Sequence, residues 1–198
     1  MMEHMAFKGT ERVGTKDYAA EAPLLAEEEA AWQSVMDERR KGAHGDSAEL
    51  SRRTRHFQDA RDKARGPVVS NGFGTLIEQN GAVGLNAQTS SDWTRYYYSL
   101  PSNRLEFWGA MEGGRMAFPV FREFYKERDV VYEERRMRTE STPVGRLFEQ
   151  FMQTAYTAHP YGYGVIGFPS DLSTFTRTQG EAFYRKHYVA KNMAVAVV

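Results

Sequence analysis

Apolar and polar positions divide the chain into a helical stretch followed by a mixed one. Between Ala19 and Lys41, Leu25, Trp32, Val35 and Met36 recur at helical spacing among Ala, Glu and Arg, which predicts an amphipathic helix. Pro23 stands near its start, where a proline is tolerated. Lys41–Gly45 reads as a turn, and Asp46-Ser-Ala-Glu49 has the form of a capping box opening a second helix that runs to about Arg65. Leu50 and Phe57 are among the few large apolar residues of that second helix. Two charged helices joined by a short turn make residues 17–65 a helical hairpin, expected to stand off the core.

From Gly66 the pattern changes to strands and turns. Asn71-Gly-Phe-Gly74 and Asn80-Gly81 are turn signals. Ala87–Leu100, with Trp93 and three consecutive tyrosines at 96–98, is the best strand in the chain, closed by Pro101-Ser102. Leu105, Trp108 and Met111 open a helix. A longer one is predicted over 120–138, burying Phe121, Phe124 and Val131. A third covers 144–158, with Leu147, Phe148, Phe151 and Ala155 on one side. Thr178-Gln-Gly-Glu181 caps a last short helix. Asn192–Val198 reads as an extended, β-branched segment that stops in mid-strand. With Met1 leading straight into Met-Glu-His-Met, the chain is expected to be incomplete at both ends. No internal repeat is visible. Interleaved strands and helices predict an α+β fold, a mixed or antiparallel sheet packed by helices.

Composition narrows the function classes. With 198 residues the chain can bury a core as one domain or a large part of one. The 26 basic and 26 acidic side chains balance, which argues against nucleic acid or anionic membrane as a main partner. The longest clean apolar run, Met193–Val198, is far short of the ~20 residues that span a bilayer. There is no cysteine, which excludes disulfide scaffolds and thiolate zinc fingers and leaves any metal site to His, Asp and Glu. The arginines at 52, 53, 55, 61 and 65 are offset by the Glu27–Glu29 run and read as a solvated face. The compartment is not readable.

Five segments carry candidate chemistry. Glu3-His4 is followed by Met5-Ala-Phe-Lys-Gly-Thr10. Asn86-Ala-Gln-Thr89 precedes the tyrosines, and Glu127-Arg-Asp-Val-Val-Tyr-Glu-Glu134 lies on the long helix. His159-Pro-Tyr-Gly162 is followed by Ile166-Gly167, and Phe183-Tyr184 leads to Tyr188 and Asn192-Met193. Taken singly, each has a plain structural reading: Glu3-His4 as a surface pair, and Glu127, Glu133 and Glu134 as a charged helix face with Arg128 and Arg135 as partners.

In this order the segments resemble the amino-terminal half of the pitrilysin/insulinase-type zinc metallopeptidases, the inverzincins, over nearly the whole chain outside 17–65. The resemblance implies a partial metallohydrolase half-domain over 1–198 with residues 17–65 as a helical-hairpin insertion. It also implies zinc-dependent cleavage of extended peptides. The family signature is His-x-x-Glu-His. Two histidines four apart on a helix project from one face toward one zinc ion, and the Glu beside the second takes a proton from the attacking water. By this resemblance Glu3 is the general base and His4 the second histidine ligand. The first histidine would stand one position before Met1.

The family's glutamate ligand maps to Glu134, and Glu127, seven residues earlier on the same helical face, maps to the carboxylate that orients a histidine. Glu133 points roughly 100° away from that face. With the insertion set aside, the separation of His4 and Glu134 is near that of compact family members. Asn86, Ala87 and Thr89 match an edge strand to which a peptide substrate adds as a further strand. The implied partners are a peptide or protein substrate and a second homologous half-domain, in the same or another chain. His159 reads as a structural loop residue, and His44 and His56 as solvated. Lacking the first histidine, the polypeptide is expected to be inactive and to bind zinc poorly. The alternative is a non-catalytic structural or partner subunit of the same family.

Overall fold

The computed structural model describes every residue from Met1 to Val198. Helix α1 is short, Met2–Met5. Helix α2, Tyr18–Arg40, begins where Asp17 accepts from the amides of Ala19 and Ala20. Helix α3, Ser47–Ala64, is capped by Asp46, which accepts from Ala48 and Glu49. The capping box is only half made. Glu49 turns to Arg52 and Arg53, and Glu38 accepts the Asp46 amide instead, at 2.8 Å.

The hairpin of α2 and α3 does not stand off. Trp32, Val35 and Met36 of α2 and Phe57 and Ala60 of α3 join Met5, Phe121, Phe124, Tyr125 and Tyr184 in the largest apolar cluster. The ring of Trp32 lies 4.9 Å from that of Phe57 and 5.3 Å from that of Tyr125. The narrow apolar stripes of the two helices have no other way out of water, and burial of such aromatics is the main favourable term. The arginine face is partly as expected: Arg52, Arg55 and Arg65 are exposed, whereas Arg53 and Arg61 are half-buried and paired.

Helix α4, Gly72–Gln79, starts at the Asn71–Gly74 turn signal, with Asn71 itself left-handed. The predicted single strand Ala87–Leu100 is instead a hairpin of β1, Val83–Thr89, and β2, Thr94–Ser99, turning where the Ser90 amide meets the Trp93 carbonyl. The strands are antiparallel, with Asn86 opposite Tyr97 and Thr89 opposite Thr94, and the register is irregular between Val83 and Asn86. Phe73, Ile77 and Met111 fill a second cluster against Phe7, Tyr98 and Phe107.

Helix α5 spans Leu105–Ala117 and α6 spans Phe124–Arg135. The latter starts later than predicted because Glu123 takes a left-handed backbone, φ 55°, leaving Phe121 buried in the segment before it. A single wide turn, Arg136–Glu140, leads to α7, Pro143–Ala155, capped by Thr142. The one-sided apolar set of α7 is present, but Val144, Leu147, Phe148 and Phe151 are exposed. Helix α8 is Pro169–Thr174 and α9 is Arg177–His187. Thr176 and Gln179, not Thr178, make the capping box of α9. Residues 193–198 pair with no strand. The whole is α+β, helices around a two-stranded antiparallel sheet, and no helix is long and apolar enough to cross a membrane.

Candidate metal centre

Helix α1 brings Glu3 and His4 into contact with β1 on one side and α6 on the other. The loop that follows is locked. Gly9 has φ 87°, and a Cβ there would collide with the Val13 carbonyl, so only glycine fits. The buried Arg122 guanidinium donates to the carbonyls of Lys8, Thr10 and Val13 and pairs with the buried Glu21 of α2 at 2.8 Å. Beneath α1, Arg115 lies 4.3 Å from the Tyr96 ring centre and stacks less closely on Phe7 and Phe73.

His4 is held between two carboxylates of α6. Its Nδ1 lies 3.1 Å from Oε2 of Glu127, and its Nε2 lies 3.8 Å from Oε2 of Glu134. Burial pushes the Glu127 carboxyl up, but hydrogen bonds from His4 and Lys8 outweigh it and hold the group down at about 2. An ionised carboxylate only accepts, so Nδ1 carries a hydrogen, and Nε2 is the ring nitrogen left to meet Glu134 or a metal ion. Seven residues at about 100° each return within about 20° of the starting direction, which is why Glu127 and Glu134 share a face. Glu133 points elsewhere and pairs with Arg136. Arg128 and Arg135, the partners a plain charged surface would supply, pair with Asp129, Glu140 and Glu149 instead.

The donors present fit zinc as far as they go. Two atoms 3.8 Å apart can both lie near the usual Zn–N and Zn–O bond length of about 2.0–2.2 Å. One carboxylate oxygen of Glu134 is engaged by Arg138 at 2.7 Å, and the other is free for a metal. No three His, Asp or Glu side chains converge into a ready cage.

Glu3 points toward β1, where its carboxylate accepts a hydrogen bond from the Thr89 hydroxyl. Thr89 and Ala87 are half-buried on one face of β1, while Asn86 is exposed and its carboxamide accepts from the Ala87 amide. Glu3, His4, Lys8, Asn86, Ala87 and Glu127 all line one cavity of about 450 Å³, a size that suits a small ligand or a few residues of peptide. Glu134 and Thr89 lie outside its lining but touch its members.

A curated zinc protease of Helicobacter pylori, PqqE, is 37% identical over 128 residues, 64% of this chain and 29% of its own length. An uncharacterized zinc protease of Rickettsia felis is 27% identical over 114 residues, 57% of this chain and 27% of its own length. The crystal structure of a protease from Helicobacter pylori superposes with TM-score 0.59 at 35% identity, covering 63% of this chain and 30% of that one. The chain is similar to these two zinc proteases over about 57–64% of its length. It spans under a third of the length of the relatives it matches. No family profile matches it.

Two residues of the cavity gain a role only from the structure. Lys8 donates to Glu123 at 2.9 Å and to Glu127 at 2.7 Å, neutralising charge behind His4. Lys8 lies inside the Met5–Thr10 segment, but its role rests on contacts to residues 115 and 119 positions away. Glu123, strained in the left-handed region at the start of α6, is held there by Lys8 and Lys126. His159 accepts from the Tyr161 amide in its own loop, and His44 and His56 are exposed.

Proposed function

We propose that the chain contributes the general base and two metal ligands of a zinc-dependent endopeptidase. His4 Nε2 and Glu134 would hold the ion, and Glu127 would orient the imidazole through Nδ1. When bound, zinc would supply Lewis acidity toward water and the peptide carbonyl. Glu3 takes the proton of the attacking water and can return it to the departing amine. Its hydrogen bond from Thr89 fixes the carboxylate beside the strand that would receive the substrate. β1 pairs with β2 along one edge, and its other edge would receive an extended peptide, with Asn86, Ala87 and Thr89 as the receiving stretch. Main-chain pairing of this kind tolerates varied sequences. A second homologous half-domain would complete the substrate chamber.

One observation carries the reading: a single imidazole addresses two carboxylates on one helical face, one through each nitrogen. This is how a zinc-ligating histidine is commonly supported. The test uses the chain extended by a histidine directly before Met1. That protein should retain zinc through gel filtration and lose it on Glu134→Gln. Unchanged zinc content in the Glu134→Gln protein would sink the assignment.

A further inference from the structure

Helix α6 has a second working face. Turned about 100–200° from Glu127 and Glu134, Arg128 and Asp129 line another cavity, of about 280 Å³, closed by α2, α3 and α8. Arg39 of α2 and Arg61 of α3 line it as well, and Asp129 is the only carboxylate among the lining residues. Three guanidinium groups therefore face one acid.

Their flat faces are taken. Arg128 lies 4.1 Å and Arg39 5.3 Å from the Trp32 ring centre, and Arg61 lies 5.8 Å from that of Phe57. Stacking of this kind leaves the in-plane N–H edges for oxygen ligands. Those edges are under-used. Arg61 meets Asp129 at 3.1 Å. Arg128, only 7% exposed, makes two stretched contacts, 3.4 Å to the Phe175 carbonyl and 3.5 Å to Asp129. Arg39 pairs with no carboxylate. The Trp32 indole N–H, which belongs to the same wall, is buried without an acceptor. A buried guanidinium with stretched partners is costly unless something completes it.

We propose that this cavity binds a compact dianion, a phosphate or a dicarboxylate, on Arg39, Arg61 and Arg128. A tetrahedral or forked set of oxygens matches the net excess of two positive charges and gives each guanidinium a bidentate partner. The site shares no residue with the His4 centre, so it stands whether or not the peptidase reading does.

The experiment titrates the full chain with inorganic phosphate and, separately, with succinate, at fixed ionic strength so that screening is constant. Calorimetry gives the affinity, and the Trp32 indole N–H resonance reports the location. Saturation by either anion, with movement of that resonance, is expected, and which anion saturates identifies the head group. The double variant Arg39→Gln, Arg61→Gln should weaken binding at least about tenfold. Both side chains reach solvent, so this variant avoids the folding risk of Arg128→Gln. No saturation by either anion below about 10 mM, or undiminished binding by the double variant, would overturn the proposal.

Discussion

The Nδ1 atom of His4 lies 3.1 Å from Glu127, and Nε2 of the same ring lies 3.8 Å from Glu134. The contact at Nδ1 fixes the tautomer, which makes Nε2 available as a ligand atom, and it fixes the ring plane. Glu127→Gln can keep one hydrogen bond but loses the charge that makes the imidazole a better base. In the chain carrying a histidine before Met1, this substitution should lower zinc affinity by about 10–100-fold. Competition with a chromophoric chelator would show it. An affinity equal to the unsubstituted protein's would mean that Glu127 is an ordinary surface acid.

Glu3 touches Thr89 and not His4's partners, so its role separates from metal binding. Glu3→Gln in the same extended chain, assembled with a complementary half-domain, should keep its zinc while peptide cleavage falls by at least about 10²-fold. Loss of zinc together with activity would make Glu3 a ligand and not a base.

Glu28 offers a pH-dependent stability. It is buried on the inner side of α2, one carboxyl oxygen has no partner, and burial raises it from 4.5 to about 7 against the pull of Arg177, Arg61 and Arg128. The folded protein therefore keeps a proton that the unfolded chain releases. The stabilising contribution of the neutral form is complete below 4.5 and is lost as pH rises through about 7. The ceiling is on the order of 3 kcal/mol. Glu28→Gln should match the parent in urea at low pH and exceed it at about pH 8. The same difference at both would show that Glu28 is not the titrating group.

The buried pair of Glu21 and Arg122 should be costly to break from one side. Glu21→Ala leaves a fully buried guanidinium without its counter-charge, and a loss of about 3–5 kcal/mol is expected in denaturant unfolding. A loss below about 1 kcal/mol, the scale of an exposed pair, would mean that water reaches Arg122.

Much of the fold was legible where one side of an element repeats. The Leu25–Trp32–Val35–Met36 stripe marks α2, and Asp46 marks the start of α3. The spacing of Glu127 and Glu134 gives their common face without coordinates, but only contacts across 123 residues bring His4 to it. The hairpin's docking was hidden because Glu21, Glu28 and Glu38 lie in an acid-rich helix whose charges read as solvated. The partner that explains Glu21 is Arg122, 101 positions away. The turn within 87–100 was missed because Ser90-Ser-Asp-Trp93 contains neither glycine nor proline, and an alternating pattern on both sides of it looks like one strand. The late start of α6 depends on a left-handed Glu123, a residue type that gives no warning of it.

Arg122 holds three carbonyls of the loop after His4 and takes its only carboxylate from the first turn of α2. The hairpin is therefore not a cassette that recombination or a protein engineer could lift out. Excising it would strand a cation inside the protein beside the very loop that shapes the histidine's surroundings.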